Sequence, residues 1–255
     1  MNSLRNTIKP VFLCAACFVL LTLFLCACTS ATENGSGNGS TTDPNVTDSP
    51  TESPTPTFGF RDPTINDVSG STETGIPYVN GTQSNSWKLA KEYRLENHVF
   101  GDRKPTSALF RVIWEEDCLY VLVHVFDSTP DTTAESVYDK DSVFLFINED
   151  ARKNKVYSVG DACYIVDRDG NGYLGPGATA EGYQCCAYSD GTDYGYYVEV
   201  RIPLLTVTGR LDRQIGFDVR VNNAEEGVLV HSLQWADTGG HTDLTLTGVG
   251  TLTMD

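Results

Sequence analysis

From Ile76 to the end of the chain, short runs of strand-forming residues follow one another with turn residues between them, and nothing the length of a crossover helix intervenes. Two of these runs, Tyr196–Ile202 (YYVEVRI) and Phe217–Asn222 (FDVRVN), alternate apolar and polar residues with period two. Such alternation predicts one face in a core and the other in water. Two more, Cys118–Phe126 (CLYVLVHVF) and Val143–Ile147 (VFLFI), are nearly continuous in apolar residues, as central strands are. Asp167–Gly172 and Ser189–Asp193 are rich in Gly, Asp, Asn and Ser, the residues of tight connections. Only Trp87–Glu96 reads as a helix, and a short one. About ten strands without crossover helices predict an all-β fold, an antiparallel, jelly-roll-like sandwich over residues 76–255.

The chain ahead of it has a different composition. Arg5 and Lys9 precede an apolar run from Val11 to Leu25, which ends in Leu25-Cys26-Ala27-Cys28. A basic start, a short apolar stretch and small residues before a cut site predict a secretory signal peptide over residues 1–28. The run is too short to cross a hydrocarbon core of ~30 Å comfortably at 1.5 Å per residue. Its ending resembles a bacterial lipobox, which implies acylation at Cys28. The expectation is an exported protein, lipid-anchored to the outer face of a bacterial membrane and touching the membrane through that anchor alone. Residues 29–75 read as a disordered linker, because the stretch 29–57 holds 13 Ser or Thr and no aromatic residue and cannot bury enough surface to offset its ordering entropy.

With 34 Asp and Glu against 18 Lys and Arg, the net charge is −16, and loss of a leader with two basic and no acidic residues deepens it. A nucleic-acid partner is excluded on this balance. A monomer is expected. Four cysteines remain beyond the leader, Cys118, Cys163, Cys185 and Cys186. They allow three pairings, with Cys118 to Cys163 as the candidate bridge, and a domain of this size folds without staples.

Five stretches then occur in order: Pro77-Tyr78-Val79-Asn80-Gly81 before Trp87, Val112–Val121 (VIWEEDCLYV), Asp141–Ile147 (DSVFLFI), Gly216–Ala224 (GFDVRVNNA) and Trp235-Ala236-Asp237. Together they resemble family 9 carbohydrate-binding modules, β-sandwiches appended to xylanases and related plant-polysaccharide hydrolases. The resemblance implies non-catalytic binding of a polysaccharide or oligosaccharide by a terminal sugar held between two Trp rings. At the first ring position this chain has Tyr138, and at the second Asp243, which has no flat face. Three polar contacts of the family fall on Phe144, Ile165 and Gly240, and a fourth on Asp167, which still accepts a hydrogen bond. The expected site is therefore Tyr138 as one wall and Gly239–Asp243 as a rim, with Asp167 in support and His241 as a stand-in for the missing ring.

Asp167, Asp169 and Asn171, followed by Gly172, have the spacing of the first half of a calcium loop, although position 12 is Ala178. The same residues suit a hairpin turn. Structural calcium is the expected cofactor on the first reading, in keeping with the family resemblance. Two other functions stay open. One is a decayed sugar site serving as a structural or protein-interaction module. The other is a small jelly-roll glycoside hydrolase, which needs two facing carboxylates, with Glu199 and Glu149 as the strand-borne candidates. Against it, Glu199 alternates with Val198 and Val200 and reads as part of a solvated sheet face, and the four histidines are scattered.

Overall fold

The computed structural model describes residues 9–10, 77–102 and 106–255. The expected cleavage and acylation at Cys28 and the linker lie outside the described residues. The larger of two sheets has eight strands, in the order β1 (Lys9–Pro10), β8 (Gly172–Leu174), β7 (Asp161–Asp167), β6 (Ser142–Asn148), β11 (Gln214–Glu225), β12 (Val228–Gln234) and β3 (Asn97–Gly101), with β13 (Gly250–Thr253) also paired to β11. The smaller has five: β2 (Glu92–Arg94), β4 (Ser107–Trp114), β5 (Cys118–Phe126), β10 (Gly195–Pro203) and β9 (Gln184–Ser189). Every pairing is antiparallel except the two-residue contact of β1 with β8. The two sheets enclose one core, so the chain is the antiparallel β-sandwich that its strand pattern predicts.

The continuous apolar runs take the centres. β5 lies between β4 and β10, and β6 between β7 and β11. Alternation sorts their side chains: Val143, Leu145 and Ile147 of β6 join Phe217, Val219 and Val221 of β11 in the shared core, opposite Val121, Val123 and Val198. Trp235 packs there edge-on to Phe110, with ring centroids 5.2 Å apart. The intervening Phe144 and Phe146 turn outward, into a second cluster with Val137, Cys163, Ile165, Leu246 and Val249. A third cluster, on the outer face of the five-stranded sheet, places Trp87 over Cys118, Tyr120 and Leu122.

Three expectations are corrected by this arrangement. Trp87–Glu96 is not a helix: a single 3-10 turn at Asn85–Lys88 is followed by β2. Nor are the polar faces of β10 and β11 in water. Glu199 is 1% exposed, because the segment carrying Trp87 folds over it and donates from the indole Nε1 to Oε1 at 3.2 Å, while the Tyr188 hydroxyl donates to the same oxygen at 3.0 Å. Asp218 is fully buried, Asn222 nearly so. Finally, Cys118 and Cys163 sit in clusters on opposite outer faces of the sandwich and cannot be bridged, and none of the four described cysteines forms a disulfide. Cys185 and Cys186 are neighbours on one strand, so one points into the core and the other outward. Burial pushes the Cys118 thiol up to about 11 and that of Cys186 to about 12.

Candidate functional site

The site is built on the outward residues of β11 and on the loop after β12. Asp218 begins it. Buried wholly, its carboxylate accepts from the backbone N–H of Ala236 at 3.0 Å and of Asp237 at 2.9 Å, and from Gln234 Nε2 at 2.8 Å. Burial raises its pKa to about 6 despite these bonds. The bonds fix where the chain leaves the sheet. Asp237 then accepts from Gly239 N at 2.8 Å and His241 N at 2.7 Å, which winds the loop back toward β11. Gly240 sits at φ +67°, a left-handed conformation that glycine adopts freely. Tyr157 pins the returning strand of the loop by donating from its hydroxyl to Thr242 O at 2.7 Å.

The loop delivers Asp243 to Arg220, the next outward residue of β11. Their contact is bidentate, Nη1 to Oδ2 at 2.5 Å and Nη2 to Oδ1 at 2.9 Å, with the arginine side chain 7% exposed and the aspartate 34%. The guanidinium lies over Phe144, its Cζ 4.3 Å from the ring centroid, and 5.3 Å from that of Phe146. This stacking gives one account of three departures from the family pattern. Phe144 and Ile165 are completely buried in the outer cluster, Arg220 roofs that cluster, and Asp243 neutralises Arg220. Asp243 is a counter-ion here rather than an empty ring position.

One residue further along the outer face, Asn222 donates from Nδ2 to Tyr138 O at 3.1 Å and accepts from Ser232 Oγ at 2.8 Å. The Tyr138 ring leans on Phe144, and burial pushes its phenol up to about 12. Tyr138, Arg220, Asn222, Ser232, Gly240 and Asp243 thus line one cavity of about 330 Å³, together with Val99, Phe100 and Leu229. The volume lies at the small end of ligand pockets, which run to roughly 300–1,000 Å³.

Of the residues picked from the sequence, the structure brings Tyr138, Gly240 and Asp243 together. His241 is exposed and does not line the cavity; its ring lies against the Gly239 backbone. Asp167 is also elsewhere. Its carboxylate accepts from Asn171 N at 2.9 Å, from Asn171 Nδ2 at 3.0 Å and from the Tyr173 hydroxyl at 2.8 Å, bracing the β7–β8 hairpin from inside. Asp169 points away to Thr132 Oγ1 at 2.7 Å. The three expected calcium ligands do not converge, and among the described residues no three acidic, His or Cys side chains could hold a metal. The hairpin turn accounts for the contacts of Asp167 with Asn171 and Tyr173, while Asp169 bonds a distant loop. Arg220, Asn222, Ser232 and Phe100 also line the cavity, and in sequence they are ordinary members of strands with no local signal of it.

The two carboxylates considered for hydrolysis are structural. Glu199 is sealed under Trp87, and Glu149 accepts from the backbone N–H groups of Leu205 at 2.7 Å, Thr206 at 2.6 Å and Val207 at 3.1 Å. Neither lines the cavity. Two of the scattered histidines pair, His98 Nδ1 lying 2.8 Å from His231 Nε2 between β3 and β12.

Comparison with known proteins agrees with this architecture. Endo-1,4-beta-xylanase A of Thermoanaerobacterium saccharolyticum is 28% identical over 181 residues, 71% of this chain but 15% of the xylanase. Endo-1,4-beta-xylanase A of Thermotoga neapolitana is 31% identical over 165 residues, 64% of this chain and 16% of the relative. The chain therefore spans about a sixth of the length of the curated relatives it matches. A carbohydrate-binding module of family 9 from Caldicellulosiruptor kristjanssonii, solved in complex with cellotriose, shares the fold with a TM-score of 0.67 at 22% identity, covering 73% of this chain and 91% of that one. The same module was also solved with glucose. The family model for the carbohydrate family 9 binding domain-like group matches residues 79–254. With nearly the whole sandwich inside that match, the chain belongs to family 9 of the carbohydrate-binding modules, a family of non-catalytic binding domains.

Proposed function

We propose that this chain binds the end of a polysaccharide or oligosaccharide in the cavity between β11 and the loop after β12, holding an exported, lipid-anchored protein to plant-type glycan during its breakdown. The observation that carries the reading is the combination in one cavity of an aromatic wall, Tyr138, with a floor of paired charges and amide and hydroxyl groups, Arg220, Asp243, Asn222 and Ser232. A pyranose offers C–H groups on its faces and hydroxyls on its rim, and such a cavity answers both. The xylanase relatives support a plant-wall glycan, and the cellotriose and glucose complexes of the structural relative support a short neutral sugar.

Titration with xylo-, cello- and manno-oligosaccharides, followed by tyrosine and tryptophan fluorescence, tests it. Affinity is expected near the millimolar range, about −4 kcal/mol, so that one aromatic contact of about 1 kcal/mol is a large share of it. Tyr138→Ala is expected to remove measurable binding and Tyr138→Trp to strengthen it. Binding that survives Tyr138→Ala unchanged places the sugar elsewhere. Absence of binding in the unaltered chain favours the interaction-module alternative, for which the apolar Phe144 and Ile165 at former polar positions already speak.

Anchoring is tested separately. With several acyl chains contributing about 0.8 kcal/mol per buried CH₂, the tether holds an acidic domain at a surface that would otherwise repel it. Cys28→Ser is expected to release the protein to the medium or leave it unprocessed, and fatty-acid labelling that persists in that variant refutes acylation at Cys28.

A further inference from the structure

We infer that Phe100, on the edge strand β3, is the second aromatic wall of the sugar site, facing Tyr138 across the Arg220–Asp243 floor and making a two-sided slot for a neutral pyranose; the inference rests on the sugar-binding reading above. Phe100 is 51% exposed, unusual for so large an apolar ring, and it lines the same cavity as Tyr138.

Its direction follows from register. Phe100 lies opposite Ser232 on β12, Ser232 opposite Asn222 on β11, and Asn222 opposite Ser142 on β6. The Ser232–Asn222 bond and the Asn222–Tyr138 bond fix this row on the outer face. In a regular strand Val99 would point to the face opposite Phe100. Here the register shifts between Ser232 and Leu233, leaving Val99 without a partner between His98 and Phe100, and both Val99 and Phe100 turn to the cavity. Bulges of this kind re-aim side chains at sheet edges. The edge is held by Asn97 Nδ2, which donates to Trp235 O at 2.9 Å, and by the His98–His231 pair.

The dimensions suit a sugar. Two strand spacings place the Phe100 backbone roughly 10 Å from that of Asn222, to whose amide Tyr138 is bonded. A six-membered ring in van der Waals contact on both faces needs walls about 7–8 Å apart, twice the 3.5–4.0 Å contact distance. The floor selects a neutral ligand. Asp243, a third exposed, presents its free lone pairs to hydroxyl donors, whereas its partner Arg220 is almost entirely covered, so an incoming carboxylate meets the aspartate first.

The test is NMR titration of the full chain with cellotriose and with xylotriose, observing the sugar C–H resonances. In the unaltered chain these are expected to shift under the ring currents of two walls. Phe100→Ala is expected to weaken binding about five- to tenfold, the equivalent of one aromatic contact, and to lose part of the ring-current shift with an unchanged melting curve. Phe100→Leu, which keeps apolar bulk, is expected to lose the shift as well, and Phe100→Trp to restore it and tighten binding. Tyr194→Ala, which removes an exposed ring outside the cavity, serves as the control and leaves both unchanged. Binding lost in Tyr138→Ala but unaffected in Phe100→Ala overturns the second wall and leaves the sugar reading standing. No binding of either trisaccharide to the unaltered chain overturns both.

Discussion

Asp243→Ala is expected to destabilise the domain by about 2–3 kcal/mol and to abolish sugar binding with it. Removing one partner of a buried ion pair typically costs about 3–5 kcal/mol, because the other charge is stranded. The aspartate is a third exposed, so water reaches the pair and the lower figure applies. For a domain of this size that corresponds to a fall of roughly 5–10 °C in melting temperature. Arg220 would be left charged above Phe144 and Phe146 with its Nε already lacking a hydrogen-bond partner among the described residues. The double variant Arg220→Met/Asp243→Ala removes the stranded charge and keeps an apolar roof over the two rings. It is expected to recover most of the stability and none of the binding. Asp243→Trp, which on sequence grounds would rebuild the family's second ring, is expected to fail for the same reason as Asp243→Ala. Equal melting temperatures for Asp243→Ala and the unaltered chain would mean that the pair contributes nothing to the fold.

The other large effect lies on the opposite side of the molecule. Trp87→Ala is expected to cost about 3–5 kcal/mol, since the ring is 1% exposed and is the largest member of the outer cluster on the five-stranded sheet. It also leaves Glu199 without its indole donor. Glu199 itself adds a pH signature. Burial raises its pKa above the ordinary 4.5, although Tyr188 and Trp87 donate to it. The folded state therefore binds this proton more tightly than the unfolded state does. Its contribution to stability is fully present below about pH 4.5 and is lost as pH rises through the raised value. Glu199→Gln, which fixes the neutral form, is expected to match the unaltered chain near pH 4.5 and to melt progressively higher than it as pH is raised toward 8. A constant difference between the two across that range would show that Glu199 does not titrate in the fold.

Particular residues show how far sequence reasoning reached. The period-two pattern of Phe217–Asn222 predicts Phe217, Val219 and Val221 in a core, and they lie there beside Val143, Leu145 and Ile147 of the apolar run. Cys118–Phe126 and Val143–Ile147 were legible as central strands because a strand buried on both faces cannot carry polar residues at alternate positions. Tyr138, Gly240 and Asp243 were legible as a group only through the family resemblance, and they line one cavity. Asp167 and His241 stand at matching places in the chain and yet point elsewhere. Phe100, Arg220, Asn222 and Ser232 carried no local signal, since each is one residue of an ordinary-looking strand.

What the sequence determined by itself is the antiparallel all-β architecture: strand periods, turn residues and the absence of a crossover helix point to antiparallel sheets that bury their apolar faces against each other. What only the tertiary structure decided is the use of the outward faces. Alternation states that Asp218, Arg220, Asn222 and Glu199 point away from the core, and water is the simplest destination. Loops from distant parts of the chain, at Asn80–Trp87 and at Asp237–Val249, settle over those faces instead, and each buried polar group then has to be paired, with Trp87 and Tyr188 for Glu199 and with Asp243 for Arg220. Such pairings join residues 11 to 112 positions apart, and periodicity, which is a property of neighbours, holds no information about them.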